Sequence, residues 1–409
     1  MKQIRKTLSL LLAIIIRKER FMNIKINLFK SFAFGLFMVI ALAAFFGCAK
    51  SNGEDPDSLV AEEDNKFFIS GEAARIGDRF YFMEESDLSV TPLIFVADIA
   101  SGEVMPLCAK PDCNHDSKEC SAYLYTGFVP GFYANGGRLY AVEGEGRAAK
   151  LISMSYDGSD RKTELALDQE AEGEVNGGYS ITSVWRGKLI RCGMSYGIEE
   201  GMPHNSAAIY TQEIKSESEP KTVLKVENVE EAPACVSGDK LYLAAFSGSE
   251  TAEVTIYAFD QDTEKAEELY KGPVPELASK ITVINGEIVF SWGKAVYAFS
   301  LENRTFRTIY ASPESKTMYI GDGVIIEGLE MTKMRFVGFD GSTVSECEID
   351  PALFHEDRWT RRFLGYAEGS FYYVFSSWGG KKLYNYLVEF DVEDNECRVL
   401  WEKEGRTEG

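Results

Sequence analysis

Between about residues 66 and 405 apolar and polar positions alternate in short runs, and each run is closed by Gly, Asp, Asn or Ser. Two-residue alternation punctuated by such breakers predicts β-strands joined by tight turns. One unit recurs along this stretch: a glycine turn, an apolar-aromatic strand, a second strand ending near Asp, then a polar turn and another strand. It starts at Gly77-Asp-Arg-Phe-Tyr-Phe, Gly137-Arg-Leu-Tyr-Ala-Val, Gly187-Lys-Leu-Ile-Arg, Gly238-Asp-Lys-Leu-Tyr-Leu, Gly286-Glu-Ile-Val-Phe, Gly321-Asp-Gly-Val-Ile-Ile and Gly369-Ser-Phe-Tyr-Tyr-Val. Successive starts lie about 49 residues apart on average, a repeat length typical of propeller blades. The second halves also match, Leu151-Ile-Ser-Met-Ser-Tyr-Asp-Gly against Met334-Arg-Phe-Val-Gly-Phe-Asp-Gly. Asp-Gly between alternating runs predicts a type I′ hairpin turn. Each unit therefore reads as a four-stranded meander, and the set predicts an all-β, seven-bladed β-propeller. An open solenoid is the competing arrangement. Closure is preferred because the end units are as regular as the middle ones, without the polar caps of an open array. Phe67-Phe68-Ile69-Ser70 is a spare strand that can seal the ring.

The pattern changes completely upstream. Leu28 to Gly47 is an apolar stretch with Lys25 before it and Lys30 near its start, which predicts a signal segment. It ends at Phe45-Phe46-Gly47-Cys48, similar to the lipobox at which a bacterial lipoprotein cysteine takes up diacylglycerol, with Phe45 where Leu is usual. An uncleaved membrane anchor is the alternative. The polar run after Cys48 reads as a flexible tether. Expected boundaries are 1–47 for the signal peptide, with Met22 as the true start, 48–65 for the linker, 66–405 for the propeller and 406–409 for a tail. Export with a lipid anchor, palmitate included, would place the chain on the outer face of the cell membrane.

Charge narrows the partners. The chain carries 43 Lys and Arg against 64 Asp and Glu, and the expected mature form is more acidic still, because residues 1–47 hold eight basic residues and only Glu19 as an acid. Such a surface disfavours nucleic acid.

The candidate chemistry centres on Pro106-Leu-Cys108-Ala-Lys-Pro-Asp-Cys113-Asn-His115-Asp-Ser-Lys-Glu-Cys120-Ser-Ala-Tyr123. Three thiols and an imidazole at this spacing suit a structural zinc site. A disulfide pinning a long connection suits the run equally, since exported chains meet oxidants, and unpaired thiols are the third state. Either way the role predicted for Cys108, Cys113, His115 and Cys120 is structural. This run, with the repeats, resembles the surface lipoproteins of Gram-positive anaerobes that carry propeller-like repeats and a Cys/His insert. The resemblance implies location and fold and brings no known reaction.

In a four-stranded blade the turns between first and second and between third and fourth strands share one rim. The longer segments Glu84–Pro92, Gly193–Ala207, Cys108–Pro130 and Asp350–Leu364 fall on the other rim, where binding residues collect. Arg358, Trp359, Arg361 and Arg362, on a predicted helical turn after Pro351, form a cationic group able to receive an anion, unless neighbouring acids neutralise it. Trp292 and Trp378, both in Ser-Trp-Gly, are a sugar platform or packing between blades. Cys192, Cys235, Cys347 and Cys397 are expected as buried free thiols. Gly193-Met-Ser195-Tyr-Gly197 fits the nucleophile-elbow string, but no helix is predicted after it, and His204 and His355 have no partnered motif. Acidic runs at 168–174 and 227–231 read as solvated connections, with weak calcium binding a minor option. The chain is thus expected to be a lipid-anchored binding or interaction module for a glycan, peptide or protein. The alternative is a glycan-cleaving enzyme whose carboxylates come from separate blades.

Overall fold

The computed structural model describes residues 73–406 except for 86–91, 109, 116–117, 126–131, 145–148, 168–178, 200–201, 216–217, 249–251, 293–294, 312–316, 321–322, 329–332, 352–357 and 380–381. The signal segment, Cys48, the tether and Phe67–Ser70 lie outside these residues. Among the described residues none is α-helical, and no helix is long and apolar enough to cross a membrane.

Four-stranded antiparallel sheets follow one another along the chain. The first contains β1 (Ala73–Ile76), β2 (Arg79–Glu85), β3 (Pro92–Asp98) and β4 (Glu103–Pro106). The second contains β5 (Phe132–Asn135), β6 (Arg138–Glu143), β7 (Lys150–Ser155) and β8 (Lys162–Ala166). The third contains β9 (Tyr179–Trp185), β10 (Lys188–Glu199), β11 (Met202–Glu213) and β12 (Lys221–Glu227). The fourth contains β13 (Ala234–Ser237), β14 (Lys240–Ser247), β15 (Glu253–Asp260) and β16 (Lys265–Pro273). The fifth contains β17 (Lys280–Ile284), β18 (Glu287–Trp292), β19 (Ala295–Ser300) and β20 (Phe306–Ala311). The sixth contains β21 (Thr317–Ile320), β22 (Val324–Gly328), β23 (Lys333–Gly338) and β24 (Thr343–Glu348). The seventh contains β25 (Arg358–Ala367), β26 (Ser370–Gly379), β27 (Lys382–Asp391) and β28 (Glu396–Arg406).

Within every sheet the strands are hydrogen-bonded in chain order. First strands pack on first strands (β1 on β5, β5 on β9, β9 on β13, β13 on β17), β18 meets β21, β24 meets β28, and β25 returns to β1. The sheets thus close into a propeller. Each sheet consists of its own four consecutive strands, so closure among the described residues rests on packing between the first and last sheets, with no strand exchanged.

The glycines that open the repeat units at Gly77, Gly137, Gly187, Gly238, Gly286 and Gly369 sit in the turns between first and second strands, and Gly321 lies outside the described residues. Asn285 and Gly286 both have positive φ, +50° and +78°, as a type I′ turn requires. The Asp-Gly turns differ from their sequence expectation. Gly158 is left-handed at +78° whereas Asp157 is not, and Ser155 both accepts from the Gly158 N–H and donates to the Ser159 carbonyl. This is a three-residue turn ending in a left-handed glycine. The Asp157 carboxylate selects it by accepting from the N–H and hydroxyl of Ser159, at 2.9 and 2.6 Å. Asp340 and Ser342 repeat the arrangement. In every sheet except the first, the pairing of third with fourth strand shifts register by a bulge.

The core lies between sheets. Phe246, Phe290, Tyr297 and Phe299 fill the space between the fourth and fifth, and Phe336, Phe371, Tyr373 and Phe390 that between the sixth and seventh. Aromatic alternation in the second and third strands supplies both fillings, because each second side chain faces the same neighbour.

Candidate metal centre and binding rim

The outermost position of the first sheet is built from two separated pieces of chain. β4 pairs with β3 only as far as Pro106, after which the Leu107 N–H donates to the Ile94 carbonyl at 2.8 Å. The chain then leaves the sheet and returns at Ala122, whose carbonyl accepts from the Ile94 N–H at 2.7 Å, while Tyr123 bridges to Leu93. The Cys/His run is the excursion between these two attachments.

The excursion brings all four predicted side chains together. The ligand atoms of Cys108, Cys113, His115 and Cys120 lie within 4.8 Å of one another. His115 Nδ1 is 3.4 Å from Cys120 Sγ. His115 adopts left-handed backbone, φ +59°, which bends the run back on itself. The Cys113 N–H donates to the Lys110 carbonyl and the Tyr123 N–H to that of Cys120, at 3.3 and 3.1 Å, so a turn flanks the set on each side. Around a tetrahedral zinc with bonds of about 2.3 Å, neighbouring sulfurs sit roughly 3.8 Å apart, so a contraction of about an ångström completes the shell. The group can therefore hold a metal.

Charge in the cluster is unevenly shared. Burial pushes the Cys108 thiol up, but the Ser121 hydroxyl, the Lys110 N–H and the Cys120 and Cys113 thiols outweigh it and bring Cys108 down to about 6. Burial pushes Cys120 up to about 12, against the Ala122 N–H and with the sulfurs of Cys113 and Cys108 adding to the rise. One thiolate is thus favoured and a second opposed, an imbalance that a dication removes by binding every sulfur as thiolate.

Supports from the second sheet went unnoticed in the sequence. Arg161, just after the Asp157-Gly158 turn, donates to the carbonyls of Ser121 and Tyr123 and to Glu143 at 2.6 Å. Gly158 packs on the Leu107 carbonyl so closely that a Cβ would lie 2.4 Å from its oxygen. Their only sequence signal is the turn motif, which does not reveal what the turn touches.

The remaining candidates separate. Arg358 to Arg362 lie on β25, the innermost strand of the seventh sheet, where a helical turn was expected. Nine antiparallel residue pairs with β26 outweigh the local bias set by Pro351. Arg362 is half-buried and donates to the Met83 carbonyl of the first sheet, so it ties two sheets together. Arg358 stands directly opposite Trp378 in the pairing of β25 with β26. Trp292 ends β18, the corresponding strand two sheets earlier, so the two tryptophans occupy like strand positions in different sheets. Ser195 is mid-strand in β10, opposite Ser206 with the hydroxyls 3.3 Å apart, and strand continues past it to Glu199. No elbow forms there. His204 pairs with Gly197 in the same ribbon, and His355 lies outside the described residues. Cys192, Cys235 and Cys347 are buried free thiols and Cys397 a half-buried one. Of the acidic runs, 168–174 lies outside the described residues.

The rim opposite the glycine turns carries a projection. β10 and β11 pair without interruption from Lys188 with Glu213 to Glu199 with Met202. Among the described residues β9 accompanies them only to Gly193 and β12 only to Ser206. Residues 194–199 and 202–205 therefore extend past the described four-stranded body as a two-stranded ribbon.

No family model matches the chain, and neither does any curated protein. Among solved structures it is similar to a Mycobacterium tuberculosis puromycin-hydrolyzing peptidase, at 11% identity and a TM-score of 0.49, covering 86% of this chain and 55% of that one. Prolyl oligopeptidase B from Galerina marginata matches at 12% identity and a TM-score of 0.46, over 80% of this chain and 49% of that one. BamB from Moraxella catarrhalis matches at 12% and 0.39, over 81% and 84%. The chain spans about half the length of the two peptidases.

Proposed function

We propose that this chain is an extracytoplasmic β-propeller, lipid-anchored through Cys48, that binds a ligand on its loop-bearing rim and carries a structural zinc at Cys108, Cys113, His115 and Cys120. The observation behind the binding reading is the ribbon formed by 194–199 and 202–205, which projects from a rigid ring, on the rim to which Arg358 and Trp378 also belong. A projection that the fold itself does not need is suited to contact with another molecule. Zinc is preferred to a disulfide because a disulfide needs one cysteine pair and leaves the histidine idle, whereas His115 has converged on Cys120.

An array of neutral, sulfated and carboxylated glycans, probed with the purified chain, tests the binding reading. A hit weakened at least about tenfold by Trp378→Ala or by deletion of 196–203 supports it. Binding unaffected by both, or no binding to any glycan or to surface extracts, counts against it. For the anchor, labelled palmitate should enter the wild type and be absent from Cys48→Ala; equal labelling removes that part.

A further inference from the structure

Among the described residues the seam between the first and last sheets is closed by side-chain contacts, with no strand ladder across it. At its inner part Arg75 donates to the Tyr366 carbonyl at 3.1 Å and Arg362 to that of Met83. Phe80 packs on Tyr372 with ring centroids 5.3 Å apart. Gly365 lies so close to Phe80 that a Cβ would come within 2.6 Å of the ring. Farther out, Phe95 meets Trp401 at 6.1 Å and Lys403 lies over the Phe95 ring at 5.3 Å.

The Cys/His excursion lies on this seam. Cys120, Ala122 and Tyr123 belong to one hydrophobic cluster with Phe80, Phe82, Leu93 and Phe95 of the first sheet and with Leu364, Tyr372, Val374 and Leu387 of the seventh. Cys108 and Cys113 pack against the same cluster, as do Leu400 and Trp401 of β28. Leu107 and Leu124, at either end of the excursion, instead enter the cluster between the first and second sheets, with Phe132, Ile152 and Met154. The excursion therefore wraps the outer margin of the first sheet and reaches both of its neighbours.

We infer that the metal held by Cys108, Cys113, His115 and Cys120 is the clasp of the ring, fastening the first sheet to the last. This inference rests on the zinc reading above and adds a location for its effect. Without metal the excursion is a run of fourteen residues, 108–121, between two attachment points on Ile94. With metal its four ligands become one rigid body, and the side chains that it contributes to the cluster shared with Phe95 and Trp401 stay in place.

Hydrogen exchange, read by peptide mass spectrometry on the purified full chain, tests the clasp. Zinc content is measured on the same samples by atomic emission. Three states are compared: zinc-loaded, chelator-stripped, and stripped then reloaded with zinc; Cys113→Ser provides a fourth that never loads. Stripping should speed exchange about tenfold or more in β1, β4, β25 and β28, with β17–β20 across the ring changing less than about twofold, and reloading should restore protection. Faster exchange confined to 107–124 overturns the clasp and leaves the zinc reading intact. Equal acceleration in all sheets also overturns it, since the metal would then support the fold without locating its effect at the seam. A chain that holds no zinc as purified and takes none up overturns both.

Discussion

Substituting Gly158 tests whether the turn of the second sheet is a physical abutment for the metal loop. Its φ of +78° is a conformation that costs an L-residue about 1–2 kcal/mol. A Cβ there would also lie 2.4 Å from the Leu107 oxygen and 3.0 Å from its carbonyl carbon. Backbone cannot swing aside as a side-chain tip can, so relief requires moving Leu107 or the turn, a further cost of about 1–3 kcal/mol by the measure of overpacked interiors. Gly286 separates the two contributions: its φ is also +78°, but a Cβ there meets nothing within 4 Å. Gly286→Ala should therefore lower unfolding free energy by about 1–2 kcal/mol and Gly158→Ala by about 2–5 kcal/mol. Urea unfolding followed by circular dichroism gives the comparison, read from midpoints provided the slope is unchanged. Because Leu107 adjoins Cys108, Gly158→Ala should also weaken zinc in competition with a chromogenic chelator, whereas Gly286→Ala should not. Equal destabilisation by the two substitutions, with equal zinc affinity, would refute the abutment.

Three further outcomes are expected. Lys188 and Lys221 of the third sheet hold the Glu264 carboxyl of the fourth below the ordinary carboxylate range, so its contribution is present above about pH 4.5 and fades as pH falls through the lowered value. Glu264→Gln should thus cost about 0.5–1 kcal/mol in urea unfolding at pH 7, with the gap closing below pH 4; a gap independent of pH counts against the pair. Burial pushes Cys192 and Cys235 up to about 12, so iodoacetamide at pH 8 should leave both unmodified in the folded chain, chelated or not, while chelation exposes Cys108 and Cys113; peptide mass spectrometry reads the sites. Phe290, fully buried and stacked on Tyr297 at 5.0 Å, should cost about 3–5 kcal/mol as Phe290→Ala, and a loss under about 1 kcal/mol would contradict the packing described between the fourth and fifth sheets.

The elements visible in the chain are those set by local rules. Glycines at Gly137, Gly187, Gly238, Gly286 and Gly369 mark turns because left-handed backbone is local chemistry, and aromatic alternation marks second and third strands because each faces a neighbour. The three-residue form of the Asp157-Gly158 turn was missed because the Asp157 side chain competes with the backbone for the Ser159 N–H, which the dipeptide alone does not show. The bulges were missed too, since one extra residue in an outer strand leaves the inner alternation undisturbed. Arg358–Arg362 read as a helical turn because the sheet that claims them is non-local. Convergence of Cys108, Cys113, His115 and Cys120 was legible from spacing, whereas their place at the seam depends on ring closure. Arg191, 1% exposed on β10 and held by burial down to about 10, gave no signal at all, because a charged residue in an alternating strand reads as facing water.

The bulged fourth strands have a consequence for behaviour at high local concentration. An outermost strand presents unpaired N–H and C=O groups along its outer side, a template on which another copy can add a strand. A bulge bends that margin and spoils its register, so six of the sheets offer a poor match to a second copy. The first sheet lacks the bulge, and its fourth strand, Glu103–Pro106, is four residues long before the Cys/His excursion takes over. Shortness and the overlying loop do there what a kink does elsewhere, so a chain stripped of metal should begin to polymerise from its first sheet.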